Sequence, residues 1–357
     1  MMISYEEFRR QHSKYISRKR LFIVLCLIIT MVAVFIEIGT GKYEITFSRS
    51  IDLFIDHILG VEPVDKQTAF DESVVWDRIP SAIGGIGIGA MLGACGCAMQ
   101  SSMKNPLADP YLTGISSGAS LGVTLVGVLG FTVVSGMAYD TLVAINAFVF
   151  SLIPAAVMIF FTLFRRDMST SGVLLIGIAV MFMFNAMTTV LKYYAPDSTM
   201  ADLYYWNVGS INPIGWDNYL LVIAAAIVCV VVLQLFSKKL NVLTLNDANV
   251  QTLGVDPRRV RTWLLALVSL FTALAVCFTG TIGFIGLVAP HVCRMFLGSD
   301  NRYLLPASAM AGAMILLVSD CVAKNLTTGG LPSGVITALI GGPVFMLLLY
   351  KQRKSDW

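Results

Sequence analysis

The side chains that could carry out chemistry are few in this sequence, and they do not form a catalytic set. The histidines His12, His57 and His291 are far apart, and none has a partner at a metal-ligand spacing. The run 39–42, Gly-Thr-Gly-Lys, lacks the spacing and the hydroxyl residue of a phosphate-binding loop. No nucleophile with a nearby base is visible. The sequence therefore predicts no enzyme, no cofactor and no metal centre, and uphill work would need an ion gradient or a partner.

One polar stretch, Lys238–Arg261, interrupts the apolar C-terminal half and has the pattern of two helices with a break between them. Asn246 or Asp247 can cap a short helix, because a side-chain oxygen there satisfies free N–H groups. Gly254 suits the left-handed residue that ends such a helix. Asp256-Pro257 is a second cap with proline at the first helical position. The alternative is a solvated basic loop.

The composition predicts an all-α, polytopic membrane protein. Of the 357 residues, 56% are hydrophobic and only 13% are charged, whereas soluble domains average about a quarter charged residues. About ten apolar segments are long enough to span a bilayer. They lie near Leu21–Ile38, Ile79–Met99, Leu112–Val134, Leu142–Phe164, Val173–Tyr194, Tyr219–Phe236, Trp263–Thr279, Ile282–Phe296, Leu304–Val322 and Leu331–Tyr350.

The distribution of basic residues predicts that both termini are cytoplasmic. With ten spans and this orientation, most of the 25 Lys and Arg residues fall on the inner side. The predicted organisation is a cytoplasmic segment 1–20, a permease domain 21–351 and a cytoplasmic tail 352–357. Within the domain, 39–78 is an extracytoplasmic loop, with a short helix at Ile51–Leu59, and 238–262 is cytoplasmic. A cleaved signal peptide is the competing interpretation of the N-terminus, but the apolar run is long for one.

Two features inside the spans bear on packing and function. Gly85, Gly89 and Gly93 are spaced four apart, which lets helix backbones approach closely and predicts a centrally packed helix. Asp320 is the main ionisable residue inside a span, with Arg294 near a span end. Intramembrane charges are functional candidates, although positions close to predicted span ends favour a structural role over a proton relay.

Several motifs occur in the order typical of one transporter family. They are Arg78-Ile79-Pro80, Ala98-Met99-Gln100, Asn105-Pro106-Leu107-Ala108-Asp109-Pro110, Gly114-Ile115-Ser116-Ser117-Gly118-Ala119, Tyr205-Trp206-Asn207-Val208-Gly209-Ser210, Leu253-Gly254-Val255, Gly283-Phe284-Ile285-Gly286-Leu287-Val288-Ala289-Pro290-His291, Leu331-Pro332-Ser333-Gly334-Val335 and Gly341-Gly342-Pro343-Val344-Phe345. Together they resemble the FecCD-type permeases, the membrane subunits of type II ABC importers for iron–siderophore, haem and cobalamin. The resemblance covers about Leu21 to Lys351.

The resemblance implies a ten-helix, multi-pass subunit of the plasma (inner) membrane that carries out transport and no catalysis. The implied partners are two cytoplasmic ABC ATPase subunits, a second permease copy or a close paralogue, an extracytoplasmic substrate-binding protein and the lipid bilayer. Nucleic acid is not among them. The cargo within this class stays open, as does the choice between a homodimer and a heterodimer.

The resemblance also implies roles for individual positions. Those expected to couple to the ATPase are Asn246, Asp247, Ala248, Leu253, Gly254 and Val255. Inner-gate positions are Asn105, Pro106, Leu107, Ser169, Thr170 and Ser171. Arg78 and Lys324 match basic outer-face positions that meet the binding protein, although ordinary interfacial anchoring is an equal alternative. The chain departs from the family where an acidic pair is usual, since it has Asn246-Asp247-Ala248-Asn249, and Ser81 replaces a second arginine.

A self-sufficient secondary transporter or channel is the second hypothesis. Asp320 and the break near Thr279–Gly283 motivate it, because broken helices can bind ligands inside a membrane. The scarcity of buried carboxylates argues against it.

Overall fold

The regular structure is helical throughout the part of the chain that the computed structural model describes, residues 5–41, 43, 45–165, 170–327 and 330–351. This confirms the all-α prediction. Within these described residues there are fourteen α-helices, α1 Tyr5–Gly39, α2 Phe47–Leu59, α3 Lys66–Met103, α4 Ile115–Leu129, α5 Tyr139–Phe164, α6 Thr170–Tyr193, α7 Asp197–Val208, α8 Tyr219–Leu235, α9 Ser237–Leu243, α10 Asp247–Thr252, α11 Pro257–Thr279, α12 Ile285–Leu297, α13 Asn301–Leu326 and α14 Ser333–Lys351, and a 3-10 helix covers Pro110–Thr113.

Six of the described helices, α1, α3, α5, α6, α11 and α13, are long and apolar enough to cross a membrane. Helices α8 and α9 meet at a bend of 51° and together pass the same test as a seventh. Three further apolar helices, α4, α12 and α14, are shorter. Each of the ten predicted apolar segments overlaps one of these helices. The count of ten spans and the cytoplasmic termini stay predictions.

Helix α3 is the centre of the bundle, as its small residues predict. In the most apolar stretch of α3, 83% of the residues are buried, against 28% in that of α1. Its glycines allow backbone contact with α13 and α12. A Cβ atom on Gly93 would lie 2.1 Å from the Ser308 carbonyl oxygen, and one on Gly96 would lie 2.0 Å from that of Gly286. Packing of this kind is how helices associate in a membrane, where lipid is as apolar as the side chains.

Replacing Gly96 with alanine is expected to destabilise the bundle by about 1–3 kcal/mol, because the added methyl group meets a backbone oxygen that cannot rotate away. Thermal unfolding in detergent would measure the loss. Gly283→Ala is the matched control, since a Cβ atom there has no atom within 4 Å. Equal melting temperatures for the two variants would contradict the packing described for α3.

Helices α1 and α3 begin furthest ahead of their predicted apolar segments. Helix α1 begins at Tyr5 instead of Leu21, and α3 begins at Lys66 instead of Ile79. The Asp65 side chain accepts a hydrogen bond from the Thr68 N–H at 2.7 Å, which caps α3 at its polar start. Hydropathy marks the part of a helix that lipid surrounds, so it misses turns that continue into water. The predicted helix Ile51–Leu59 is confirmed and is longer, as α2.

Helix α3 also defines two polar ends of the bundle. Its 38 residues span about 57 Å at 1.5 Å per residue. The segment 39–65, which contains α2, precedes its N-terminus. At its C-terminus, Lys104 contacts the polar segment between α9 and α11. The predicted coupling and outer regions therefore lie at opposite ends of one helix.

Candidate functional site

The segment that joins α8 to α11 folds as two short helices and a turn. Helix α10 ends before Gly254, whose φ of 75° is left-handed as predicted. The Asp256 side chain accepts hydrogen bonds from the backbone N–H groups of Arg258 and Arg259, and Pro257 is the first residue of α11. The helix–glycine–helix prediction is thus confirmed. One detail is wrong, since the Asn246 side chain makes no capping bond and only its carbonyl accepts from Val250.

Asp247 connects this segment to two other helices through ion pairs. Its carboxylate accepts two hydrogen bonds from the Arg261 guanidinium, at 2.7 and 2.8 Å, and one from the Lys104 ammonium at 2.8 Å. These contacts, with Arg261 first, lower the pKa of Asp247 well below its usual range. The Asp247 carboxylate therefore stays ionised at neutral pH.

Arg258 and Arg261 contact the C-terminal ends of α5 and α3. The Arg258 guanidinium donates to the Thr162 carbonyl oxygen at 2.6 and 2.9 Å and also to that of Leu163. Arg261 Nε donates to the Ser102 carbonyl oxygen at 3.0 Å. Cations are favourable at a helix C-terminus, where carbonyl groups lack partners in the helix. A displacement of the segment would consequently act on the ends of α3 and α5.

The first predicted inner-gate turn follows directly on one of these helix ends. Helix α3 stops at Met103, and Lys104 is left-handed with a φ of 50°. The Asn105 side chain accepts from the Leu107 N–H at 2.9 Å, which stabilises the turn before Pro110. Because Lys104 pairs with Asp247, the structure brings this turn and the predicted coupling residues together.

The second predicted inner-gate turn is only partly described. Ser169 lies outside the described residues. Thr170 opens α6, and Ser171 is exposed in its first turn. The role of these positions stays a prediction.

The predicted coupling residues divide into an exposed set and an anchoring set. Asn246, Ala248 and Leu253 are exposed, and Leu253 keeps 60% of its surface accessible. Val255 packs against the main core, beside Val250, a fully buried residue that was not among the predicted ones. The anchored residues fix the segment on the bundle, while the exposed ones form a surface that another protein can cover.

Comparison with known proteins decides the family. Residues 28–351 match the model of the FecCD transport family. The chain belongs to this family. Over 282 residues it is 39% identical to the hemin transport system permease protein HmuU of Yersinia pestis, with 78% of this chain and 83% of HmuU covered. Over 300 residues it is 32% identical to the vitamin B12 import system permease protein BtuC of Vibrio cholerae, with 83% and 88% covered.

A solved structure titled as an inward-facing conformation of a metal-chelate type ABC transporter is similar in fold as well as in sequence. It is 25% identical, has a TM-score of 0.78, and the match covers 94% of this chain and all of that one. The FecCD chain is accordingly the multi-pass membrane permease of an ABC importer.

The two basic residues expected to dock a binding protein make internal contacts in this FecCD permease. The Arg78 guanidinium donates to the carbonyl oxygens of Ile38, at 2.9 Å, and Tyr43, at 2.7 Å, at the end of α1. Lys324 is only 10% exposed and pairs with Glu37 and, at 2.9 Å, with Asp320. Lys324 is thus a buried cation and not the exposed one expected from the sequence. Its docking role and that of Arg78 stay a prediction.

The family's glycine motifs meet where α11 and α12 are interrupted. A Cβ atom on Gly280 would lie 2.0 Å from the Trp206 carbonyl oxygen, and one on Gly334 would lie 1.8 Å from that of Val208. The Ser210 N–H donates to the Thr279 carbonyl at 2.8 Å. The residues that follow α7 therefore share one backbone hydrogen bond with the end of α11, at Thr279, and one with the start of α14, from the Gly334 N–H to the Gly209 carbonyl. Such bonds satisfy non-helical backbone inside a membrane protein.

Sequence reasoning missed Lys104, Glu37 and the structural use of Arg258 and Arg261. From the sequence, the two arginines are only part of a basic stretch. Their spacing of three places them on one helix face, which is a usable signal that this face contacts neighbouring helices. Glu37 gave a weaker signal, as a single acid in the apolar run of α1.

Proposed function

We propose that this permease imports a metal chelate of the iron–siderophore, haem or cobalamin type, with ten spans and both termini in the cytoplasm. The names of HmuU and BtuC support the haem and cobalamin members of this class. The similar solved structure carries the description metal-chelate type. The proposed assembly contains two permease subunits, two cytoplasmic ATPase subunits and an extracytoplasmic binding protein.

The ATPase is proposed to dock on the segment 238–262, through Asn246, Asp247, Ala248, Leu253, Gly254 and Val255. The observation that carries this proposal is the network around Asp247. It joins the segment to the end of α3 through Lys104 and Arg261, while Arg258 joins it to the end of α5. A movement of the ATPase would reach the gate turn at Asn105–Leu107 through this network. Ser169, Thr170 and Ser171 are proposed to form the second gate turn.

A secondary transporter is the second candidate, and Asp320 is the observation that favours it. Asp320 is 1% exposed in α13, as a proton or ion relay would require. Its ion pair with Lys324 supports a structural role instead. At the break between α11 and α12, the Thr279 carbonyl likewise accepts a backbone hydrogen bond from Ser210, just after α7.

Uptake by reconstituted vesicles tests the proposal. The permease is placed in liposomes with its purified ATPase and binding protein, and labelled haem, a ferric siderophore and cobalamin are supplied in turn. We expect uptake of one of them that requires ATP hydrolysis. Uptake by the permease alone, driven by an ion gradient and indifferent to ATP, would establish the secondary transporter. If ATP drives the uptake of none of the three compounds, the proposed cargo class is rejected, and the assignment to the ABC importers is not affected.

A further inference from the structure

A cavity with a basic rim lies beside the proposed coupling segment, between α9 and the start of α11. Its volume is about 400 Å³. Lys239 and Arg259 supply its cations, Asp256 its acid, and Phe236, Val260 and Trp263 are among its apolar walls. It combines an entrance for a charged group with an apolar interior.

The rim is net positive and accessible. Lys239 is exposed, with its ammonium 5.3 Å from the centroid of the Phe236 ring, and the Arg259 side chain is 85% exposed. Asp256 pairs with Arg259 Nε at 3.1 Å and also accepts from the backbone N–H groups at the start of α11. These contacts leave the rim with two exposed cations, Lys239 and Arg259, against one carboxylate that already has partners.

The surroundings of the cavity are those of a membrane surface. Helix α8 is apolar, and α9 leaves it at a bend of 51° just where Lys239 follows. Leu235 and Trp263 expose 76% and 66% of their surface beside the cavity. Tryptophan is enriched at the boundary between lipid and water, where its ring is apolar and its N–H is polar. An apolar helix end, exposed apolar side chains and adjacent cations are the features expected at the depth of lipid head groups.

We propose that this cavity binds the head group of an anionic phospholipid. Its phosphate would contact Lys239 and Arg259, and its acyl chains would pass over Trp263 and Leu235. Basic pockets between helices at a membrane surface suit such head groups, because each cation there attracts negative lipid. The lipid would contact Gly254 and Val255 from the membrane side, and the other proposed docking residues, which do not line the cavity, would stay accessible to the ATPase.

Quenching of Trp263 fluorescence by brominated lipids tests this proposal on the full chain in phosphatidylcholine nanodiscs. The chain has five tryptophans, so the Trp263 signal is the difference between the chain and its Trp263→Phe variant. We expect brominated phosphatidylglycerol to quench this signal at much lower mole fraction than brominated phosphatidylcholine. Each cation removed should weaken the preference for phosphatidylglycerol about fivefold. In the double variant K239Q/R259Q, the two brominated lipids should therefore quench the Trp263 signal almost equally.

Lys238→Gln is the matched control, since Lys238 is an exposed neighbour that does not line the cavity. It should keep the preference. Equal quenching by the two lipids in the unaltered chain, or an unchanged preference in K239Q/R259Q, would overturn the proposal. Loss of the preference when the purified ATPase is bound would also overturn it, because the cavity would then belong to the protein interface.

Discussion

Replacing Lys324 with methionine is expected to destabilise the permease by about 3–5 kcal/mol. Lys324 connects Glu37 of α1 with Asp320 of its own helix, and the two carboxylates are 0% and 1% exposed. Methionine fills a similar volume but leaves two buried acids without their cation. Thermal unfolding in detergent would measure the loss, and α1 should detach first in limited proteolysis.

The triple variant E37Q/D320N/K324M separates charge from packing. Because it leaves no ionised group uncompensated, it should recover much of the lost stability. Lys192→Met is the matched control, since it removes the same charge from the last turn of α6. A single variant K324M as stable as the unaltered chain, or a triple variant no more stable than the single one, would contradict the buried ion pairs.

Replacing Asp247 with asparagine is expected to lower ATP-driven uptake about five- to thirtyfold. The change removes a bidentate pair with Arg261 and a bond with Lys104. For a side chain that is 45% exposed, water and salt reduce the worth of such pairs to about 1–2 kcal/mol. Uptake and ATPase stimulation in proteoliposomes would measure the effect, and Asp247→Glu, which keeps the charge, should recover part of it.

The ionisation of Asp247 determines how uptake by the asparagine variant should depend on pH. The pKa of Asp247 is lowered in the folded protein, so its stabilisation is fully present above the unfolded value of about 4 and is lost as the pH falls below that value. Between pH 5 and 8 the asparagine variant should therefore have a lower uptake with an unchanged pH profile. A new pH dependence in this range would contradict the account.

The secondary structure of the coupling segment could be predicted from the sequence, whereas its contacts with other helices could not. Gly254 and Asp256-Pro257 act on their own backbone, so their effects follow from residue type. Arg258 and Arg261 bond carbonyls that are 96 and 159 residues away, and Lys324 pairs with a carboxylate 287 residues away. Such contacts depend on how the helices pack, which hydropathy does not report.

The same distinction applies to the two basic residues that were expected to dock a binding protein. The family resemblance singles out Arg78 and Lys324, and in the structure both contact the end of α1, at Ile38 and Glu37. The resemblance does not tell whether each side chain points to water or to a neighbouring helix. The buried Glu37 decides that for Lys324, and no periodicity in α1 indicates that this glutamate faces α13.

Binding of the purified ATPase to the permease in detergent, with Leu253 replaced by aspartate, tests the proposed coupling surface most directly. Leu253 is 60% exposed in a polar segment, and burying it should contribute on the order of 2 kcal/mol. We predict about thirtyfold weaker binding with an unchanged melting temperature. Val64→Asp, at an exposed position just before α3, is the control that should bind normally. Equal affinity for Leu253→Asp and the unaltered chain would contradict the account.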